Sequence, residues 1–433
     1  MPAGLLIRLR PLGPWRIGPD SGDRDRVERV YHSDALYSAV SGAMARLGTL
    51  EEWLDATARA ADSAVRLSSC FPFHGDSLYA TPPRNLWPPP ASSKVRWKGA
   101  RFVPLSVIQT LASGKPVSDE GWAVDGPSET LIAMGTQGPF RVSVRSGAAV
   151  DREGAAVAPH SIACLEFAHN AGLWLTVAFA SDGAREKWKA PVVAALRLLA
   201  DSGFGGKRSS GWGRAEISVS DAEPLLKSSN GSGDRAWWML SLYHPSPDDS
   251  VDWNRGDYAI ITRSGRVESD AGWGDTKRPT RMIAEGSVVV AASEPRGVAT
   301  DVAPEGFPHP VYRAGYALAI PIPLRPTREP LLPPMPVREA PVREALLPPM
   351  PPREEVVETP AAETAPSQEP PPEPTPEPAP PAPKPAPIDE PAPIEEPPSE
   401  EPPVKEPPPD EPPSTDPNPD APPPSEPDPE EAV

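Results

Sequence analysis

Proline distribution limits where this chain can fold. The sequence has 433 residues and 67 prolines, and 41 of these prolines lie in residues 326–433. Proline lacks a backbone N–H and fixes φ, so this stretch is unsuited to helices and sheet ladders. Runs such as PPPEPTPEPAPPAPKPAP also contain few large apolar side chains, which predicts a disordered tail with polyproline II character. A packed core is therefore expected in residues 1–325, which are enough for two domains.

The acidic charge of the chain belongs to the same tail. The formal net charge is −18, and residues 326–433 hold 25 Asp or Glu against 6 Lys or Arg. The first 325 residues are thus close to neutral, so nucleic-acid binding there requires local basic patches rather than a global positive field. Only two cysteines occur, and there is no run of eighteen apolar residues. Together with the absence of a signal-peptide core before Pro11, this predicts a soluble, cytoplasmic protein without a membrane segment.

Hydrophobic periodicity predicts a mixed first half. Alternating apolar residues predict strands at 4–10, 140–145 and 214–220, and helical spacing predicts helices at 33–47, 50–61 and 184–200. Ser33 is expected to cap the first helix. Residues 164–168 and 173–180 are expected to pair as a hairpin. This order of elements is that of a ferredoxin-like fold with an insertion at about residues 68–165.

The second half is predicted to be rich in strands. The Ser- and Gly-rich segment 227–234 is the best candidate for a domain boundary. Strands are predicted at 236–243, 257–262, 286–292 and 313–320, and no helical pattern is clear there. The sequence pattern of this half alone supports an α+β or a mostly β domain.

The segment GFGGKRSSGWG, Gly203 to Gly213, is typical of an anion-binding loop. Glycine allows positive φ and a close approach of another backbone, and successive N–H groups in such a loop form concave anion sites. The pattern does not match a P-loop, since Asp201 stands at the first glycine position. It does not match a dinucleotide loop either, because it connects a helix to a strand rather than a strand to a helix. The predicted phosphate-binding residues are Gly203, Gly205, Gly206, Lys207, Arg208, Ser209, Ser210, Gly211 and Gly213.

The glycine-rich loop has two possible interpretations, and so does a second basic segment around Trp97. The loop is either a site for an extended polyanion or a glycine-rich connection with solvated charges. In the second segment, basic residues alternate with Trp97 and Phe102, a pattern that suits single-stranded RNA because charges follow phosphates and rings stack on bases. The alternative is an exposed hairpin whose charges only keep it soluble. The predicted contacts in this insertion are Lys94, Arg96, Lys98 and Arg101, with weaker candidates at Arg141, Arg145 and Arg152.

His32 is the histidine with the most informative surroundings. It stands beside Ser33 and Asp34 at the start of a predicted helix, where a polyanion can reach the helix N-terminus. An RNA or capping contact by His32 and Ser33, a packed structural histidine, and a general base acting on a ribose 2′-hydroxyl are three possible roles. No metal-binding spacing and no serine-nucleophile motif is present. We therefore predict no catalytic residue, no metal and no cofactor.

Four separated regions of the sequence resemble the RAMP proteins of CRISPR systems, and in particular the fourth subunit of the type III-A Csm effector complex. The resemblance spans about residues 4–323 in the expected order. The matching segments are GFGGKRSSGWGR at 203–214, YHSDAL at 31–36, WMLSLYHP at 238–245, and the pair RMIAEGS at 281–287 and HPVYRAG at 309–315.

This resemblance implies a fold and a function. The fold is α+β, with two ferredoxin-like (RRM-like) RAMP units: residues 1–226 with the large hairpin insertion, and a degenerate unit at 235–325, before the tail at 326–433. The implied function is non-catalytic RNA binding in antiviral defence, in which the subunit caps the 5′ handle of the CRISPR RNA (crRNA). It would bridge the large polymerase-like subunit to the repeated backbone subunit and meet target RNA indirectly, without forming a homo-oligomer. The basic insertion would be a thumb-like hairpin lying against the guide.

Two other functions remain open from the sequence. The first is a metal-independent endoribonuclease of the same superfamily that cuts repeat RNA with His32 as the base. The second is a scaffold that works mainly through its tail, in which a short motif, LLPPMPVRE at 331–339, recurs in closely similar form at 346–354.

Overall fold

The computed structural model describes residues 4–19, 21–89, 97–150, 157–222, 235–269 and 272–324. Several sequence predictions lie outside these residues: the tail at 326–433, the boundary segment at 227–234, and the contacts assigned to Lys94, Arg96 and Arg152. The predicted α+β class is confirmed, because helices and sheets both occur in the described chain. The division into two ferredoxin-like units stays a prediction.

Four helices and eleven strands form the described part of the first half. The helices are α1 (Ser33–Arg46), α2 (Leu50–Ala56), α3 (Leu105–Ala112) and α4 (Asp182–Ser202). The strands are β1 (Leu5–Pro11), β2 (Val65–Leu67), β3 (Phe71–His74), β4 (Ser77–Ala80), β5 (Val103–Pro104), β6 (Trp122–Asp125), β7 (Thr130–Ala133), β8 (Phe140–Val150), β9 (Val157–Phe167), β10 (Ala171–Phe179) and β11 (Ala215–Asp221). The predicted strand at 4–10 and the helices beginning near 33 and 184 are confirmed.

The main sheet is organised around β1. Its strand order is β11-β1-β10-β3-β4-β5, with β2 also pairing with β10. Leu5, Ile7 and Leu9 of β1 are fully buried, which the alternating pattern predicted. They lie in one core with the apolar faces of α1 and α4. The sheet order places the strand that follows the glycine-rich loop, β11, at an edge beside β1.

The predicted hairpin between 164–168 and 173–180 is wrong. Both strands exist, but β9 pairs with β8 from Phe140 opposite Phe167, whereas β10 pairs with β1, β2 and β3. The reason is that every residue of β10 except the half-buried Ala178 is buried, so this strand takes a central place in the main sheet. The β8–β9 ribbon, residues 140–150 and 157–167, stands apart from that sheet.

The second half consists of strands without a helix in residues 235–269 and 272–324. The strands are β12 (Arg235–Met239), β13 (Val251–Asp257), β14 (Ile260–Arg263), β15 (Arg266–Ser269), β16 (Gly272–Thr276), β17 (Thr280–Ile283), β18 (Val288–Ala291), β19 (Ala299–Asp301), β20 (Tyr312–Ala314) and β21 (Ala319–Ile322). Four of them form a sheet in the order β13-β18-β12-β21. The strand-rich prediction is confirmed, although β13, β15, β16, β17 and β19 were not predicted individually.

The two halves share a hydrophobic core. Trp238 and Leu240 of the second half are fully buried in the cluster that contains β1, α1 and β10. The Trp238 indole N–H donates to the Thr81 carbonyl at 3.0 Å, and the Ser69 N–H donates to the Leu240 carbonyl at 2.9 Å. The described residues of the two halves therefore pack as one folded unit. None of the helices in the described chain is long and apolar enough to span a membrane.

Candidate RNA interface

The glycine-rich loop, residues 203–213, connects α4 to β11. This confirms the predicted order of helix, loop and strand. Gly203 follows the helix with φ of +95°, and its N–H donates to the Leu199 carbonyl at 2.7 Å. A short 3-10 turn, Arg208–Ser210, begins after Lys207, which has the left-handed φ of +62°. The loop is thus a tightly turned segment with defined backbone angles.

Backbone hydrogen bonds attach this loop to the segment that follows β1. The Gly206 N–H donates to the Arg16 carbonyl at 2.8 Å, and the Gly213 N–H donates to the Pro14 carbonyl at 3.0 Å. Within the loop, the Phe204 N–H donates to the Gly213 carbonyl at 3.0 Å. Each bond satisfies a polar group close to the core, where an unpaired group is costly. The position of the loop is therefore fixed by residues almost two hundred positions earlier in the chain.

Three buried aromatic rings lie beneath the loop. Phe204 stacks on Trp15 with ring centroids 5.1 Å apart, and the Tyr31 ring meets Phe204 edge-on at 6.1 Å. The Trp15 indole N–H also donates to the Arg214 carbonyl at 3.3 Å. Stacked and edge-to-face aromatic pairs add directional packing to the area they bury. They give the loop a rigid apolar base.

The glycines of the loop serve two different purposes. A Cβ on Gly203, Gly205 or Gly213 would collide with the protein's own backbone, at the carbonyls of Trp212, Arg16 and Phe204 respectively. In contrast, Gly211 has a φ of +76° and nothing within 4 Å of its Cβ position. The close approach that the sequence suggested for RNA is therefore used internally at three of these positions. At Gly211 the space outside the loop is open.

The outer side of the loop carries the polar groups that the sequence predicted. Lys207, Ser209, Ser210 and Gly211 are exposed, and Arg208 is half-buried. Burial raises the pKa of the Tyr31 phenol, and the charge of Arg208 opposes this rise. Exposed donors above a rigid backbone are suited to phosphate binding.

His32, Ser33 and Asp34 contact the second half of the chain rather than the glycine-rich loop. The His32 Nδ1 lies 2.7 Å from Glu285 Oε1, and Ser69 Oγ is also hydrogen-bonded to that carboxylate. Ser33 Oγ accepts the Leu242 N–H at 3.0 Å. The prediction that Ser33 caps α1 is wrong, because the N-cap position is His32 and no side chain caps the helix.

Asp34 is the centre of a buried ion-pair cluster. It accepts two hydrogen bonds from the Arg263 guanidinium, at 3.1 and 3.2 Å, and one from Arg313 at 2.7 Å. Burial alone would raise the pKa of this carboxyl, but the two arginines reverse the effect and the pKa is lowered. The carboxylate is therefore held in its charged form.

The segments that suggested a family resemblance meet at this point. His32–Asp34 belong to the first segment, Leu242 to the second, Glu285 to the third, and Arg313 to the last. These contacts favour a structural role for His32 and Ser33, although their predicted RNA contact stays untested. The sequence signal that could have found this cluster is a charged residue in each of two segments: Glu285 lies in the turn between β17 and β18, and Arg313 lies in β20.

The His32–Glu285 pair predicts a stability that depends on pH. Burial lowers the pKa of His32, but the Glu285 carboxylate outweighs it, so the pKa is raised above its ordinary value. The pair then contributes fully below about pH 6.5, the usual histidine pKa, and its contribution is lost as pH rises through the folded-state pKa. We expect the free energy of unfolding from urea titrations to fall between pH 6 and 8. The His32→Gln variant should lose this dependence, and equal pH slopes for both proteins would contradict the assignment.

The second basic segment is organised differently from its prediction. Trp97 and Phe102 are buried, and Trp97 stacks on Trp87 with centroids 5.3 Å apart. The prediction that these rings stack on RNA bases is therefore wrong, because both are part of the core. Lys98 and Arg101 are exposed, and Arg101 lies 3.8 Å from Glu129.

The long ribbon in the insertion is β8–β9. Arg141 and Arg145 stand four residues apart on β8 and both bind Glu166, at 2.9 and 2.7 Å. The hydrogen bond from Arg145, followed by that from Arg141, lowers the pKa of Glu166. Half or more of each arginine side chain remains exposed. The thumb-like hairpin implied by the family resemblance stays a prediction.

Comparison with known proteins finds similarity to one family of CRISPR proteins. Residues 232–322 match the family model of the CRISPR Csm4 C-terminal domain. A curated relative, the Csm4 protein of Thermococcus onnurineus (strain NA1), is 24% identical over 342 residues, which cover 74% of this chain and 97% of the relative.

Solved structures of Csm4 subunits are also similar to this chain. The crystal structure of a Csm3–Csm4 subcomplex of a type III-A interference complex matches with a TM-score of 0.50 at 15% identity, over 74% of this chain and 99% of the other. A Csm1–Csm4 cassette in complex with cA4 matches with a TM-score of 0.48 at 17% identity, over 75% and 99% of the two chains. The family model covers the segments that hold Leu242, Glu285 and Arg313. The chain is thus similar to Csm4 subunits of type III CRISPR-Cas complexes, and its residues 232–322 match the C-terminal domain of that family.

Proposed function

We propose that this chain is a non-catalytic, cytoplasmic RNA-binding subunit that caps the 5′ handle of the crRNA. The observation that carries the proposal is the glycine-rich loop, which is fixed from below and open above. Its backbone is attached to Pro14 and Arg16, while Lys207, Ser209 and Ser210 are exposed on the outside. A binding surface that is already ordered avoids the entropic cost of ordering it on binding.

The exposed groups favour an RNA backbone over a mononucleotide. Lys207 supplies a positive charge, the two serines supply hydroxyl donors, and Gly211 leaves space for a sugar-phosphate chain to approach. The loop lacks the strand-to-helix order and helix N-terminus that hold a nucleotide's phosphates. Binding would therefore consist of phosphate contacts along a strand, with an affinity that depends on salt.

The order of the main sheet supports a ferredoxin-like first unit. Strand β1, helix α1, strands β3 and β10, helix α4 and strand β11 follow one another along the chain, and the sheet order is β11-β1-β10-β3. A strand–helix–strand–strand–helix–strand sequence is the ferredoxin-like pattern. In this proposal the glycine-rich loop is the connection between the second helix and the last strand of that unit.

We also propose that the chain bridges two neighbours within a Csm complex. Structures of its relatives describe one Csm4 together with Csm3 and another together with Csm1. By extension, this chain would contact the repeated backbone subunit and the large polymerase-like subunit and meet target RNA only indirectly. Co-purification of the three subunits, with and without crRNA, would test this arrangement.

The loop is tested by replacing Lys207 and Arg208 with alanine together. We expect the full-length variant to bind a labelled 5′-handle RNA roughly ten-fold more weakly, because it loses two positive charges that contact phosphates. Each lost phosphate contact should also reduce the slope of log affinity against log salt concentration by about 0.7 for a single strand. Titrations at two salt concentrations measure the affinity and the salt dependence together.

The matched control removes two positive charges elsewhere. Arg46 and Lys115 are exposed and lie outside the loop, so the Arg46→Ala, Lys115→Ala variant should bind as the wild type does. Equal losses in both double variants would mean that total charge, not the loop, determines affinity. The same samples on a denaturing gel should contain intact RNA. Cleavage that disappears in His32→Ala would replace this proposal with the endoribonuclease.

A further inference from the structure

Arg16 lies in the segment after β1 and contacts both the glycine-rich loop and the β8–β9 ribbon. Its carbonyl accepts the Gly206 N–H at 2.8 Å. Its guanidinium donates to the Asp23 carbonyl at 2.6 Å, to Arg24 at 2.9 Å and to Ala163 of β9 at 3.0 Å. A longer bond reaches the Arg26 carbonyl at 3.3 Å.

These contacts are made to backbone carbonyls rather than to carboxylates. Arginine is suited to this task because its planar guanidinium holds several N–H donors in a fixed arrangement. Burial, then the nearby charge of Arg24, lowers the pKa of Arg16, yet an arginine remains protonated at any physiological pH. The side chain is half-buried, and several of its donors are occupied by the protein.

Backbone hydrogen bonds of Trp15 and Arg24 also attach this segment to β9. The Trp15 N–H and carbonyl pair with Leu165 of β9 at 3.0 and 2.7 Å, and the Ala163 N–H donates to the Arg24 carbonyl at 2.8 Å. Trp15 in turn stacks on Phe204 of the glycine-rich loop. Trp15 and Arg24 are thus both bonded to β9, and the Arg16 side chain links the carbonyls of Asp23 and Arg24 to that of Ala163 on β9.

We propose that Arg16 is a positioning residue of the RNA interface: it fixes the glycine-rich loop against the β8–β9 ribbon so that Lys207 and the exposed arginines of β8 act on one RNA strand. The inference rests on the RNA binding proposed above. Arg16 acts through Gly206 and Ala163, not by touching RNA.

The test is a double-mutant cycle in the full-length protein with Arg16→Met and Lys207→Ala. Methionine keeps most of the side-chain length but removes every donor. Each single variant should bind the 5′-handle RNA roughly five-fold more weakly, and the double variant should be no weaker than the weaker single one, because coupled groups are not additive. A double variant whose loss equals the product of the two single losses would overturn the proposal.

Amide hydrogen exchange supplies a readout that does not depend on RNA. The Gly206 amide should exchange faster in Arg16→Met, while amides of the central strand β1, such as that of Ile7, keep their wild-type rates. Unchanged exchange at Gly206 would overturn the positioning role even if RNA affinity fell. If the wild type binds no RNA, the proposed function fails, and the exchange measurement still decides whether Arg16 positions the loop.

Two further variants separate charge from geometry. Arg16→Lys keeps the charge but cannot reach the carbonyls of both Asp23 and Ala163, so it should bind RNA as weakly as Arg16→Met. Full binding by the lysine variant would show direct charge attraction and overturn the proposal. Arg10→Met is the matched control, since Arg10 is exposed and its contact with Glu216 is long, at 3.5 Å. It should leave both measurements unchanged.

Discussion

Replacing Asp34 by asparagine is expected to destabilise the folded chain by about 3–5 kcal/mol, the usual cost of removing one partner from a buried ion pair. The asparagine amide has nearly the same shape, so no cavity forms. It leaves the guanidinium groups of Arg263 and Arg313 without their counter-charge in a site where each arginine side chain is at most 12% exposed. Urea titrations that follow tryptophan fluorescence measure the loss.

The matched control for this variant is Asp55→Asn. Asp55 is also paired with an arginine, Arg59, at 2.8 Å, but two thirds of its side chain is exposed. An exposed pair of this kind contributes about 0.2–1 kcal/mol, because water screens both charges. Equal losses in the two variants would mean that burial does not determine the strength of the Asp34 cluster.

The Asp34 cluster should also affect how the free energy of unfolding depends on pH in the acid range. The lowered pKa of Asp34 means that its contribution is present above the ordinary carboxyl range, about pH 4, and is lost as pH falls through the folded-state pKa. The wild type should therefore lose stability more steeply below pH 4 than Asp34→Asn. Parallel acid titrations of the two proteins would contradict this sign.

Local elements of this fold could be predicted from the sequence because their signals are local. Alternation of Leu5, Ile7 and Leu9 with polar residues determines one buried face of β1, and helical spacing does the same for α1. The connection from α4 to β11 was equally clear, since glycine after a helical pattern ends the helix. Each of these predictions uses residues within a few positions of one another.

Pairing between distant segments could not be predicted in the same way. Periodicity indicates strands at 164–168 and 173–180, but the partners of these strands depend on which surfaces are left to bury. The basic segment near Trp97 shows the same limit: an aromatic ring beside lysine and arginine has one pattern whether it faces RNA or the core. Only the stacking of Trp97 on Trp87 distinguishes the two.

Only part of the candidate site could be predicted from the sequence. The composition of the segment from Gly203 to Gly213 indicates the loop, but no local pattern distinguishes Arg16, whose carbonyl accepts the Gly206 N–H. His32 was considered for RNA binding, whereas its partner Glu285 lies more than 250 positions away. A contact of that kind leaves no spacing in the sequence, so it requires the folded chain.

Gly213→Ala is expected to destabilise the chain by roughly 3 kcal/mol, whereas Gly211→Ala should cost about 1 kcal/mol. Both glycines have left-handed backbone angles, with φ of +81° and +76°, and this conformation costs an alanine about 1–2 kcal/mol. The difference comes from space. A Cβ on Gly213 would meet the Phe204 carbonyl oxygen and would lie 2.7 Å from its nitrogen, while a Cβ on Gly211 meets nothing within 4 Å.

Urea titrations of the two variants, read by tryptophan fluorescence, test this difference. Phe204 cannot yield to the new Cβ easily, because it is stacked on Trp15 and bonded back to the Gly213 carbonyl. The collision is therefore with backbone inside the rigid base of the loop, and overpacking of this kind adds about 1–3 kcal/mol. Equal stability of the two variants would show that the loop moves away from the added methyl group.

RNA affinity tests a different property of these glycines than stability does. Gly211→Ala leaves the folded chain nearly intact but places a methyl group on the open side of the loop, where the proposed sugar-phosphate backbone approaches. A loss of affinity in this variant, at nearly unchanged stability, would assign Gly211 to binding. Wild-type affinity would instead mean that the glycines of this loop are needed for folding and not for RNA binding. Gly203, Gly205 and Gly213 already have a structural reason, because a Cβ there would collide with the protein's own backbone.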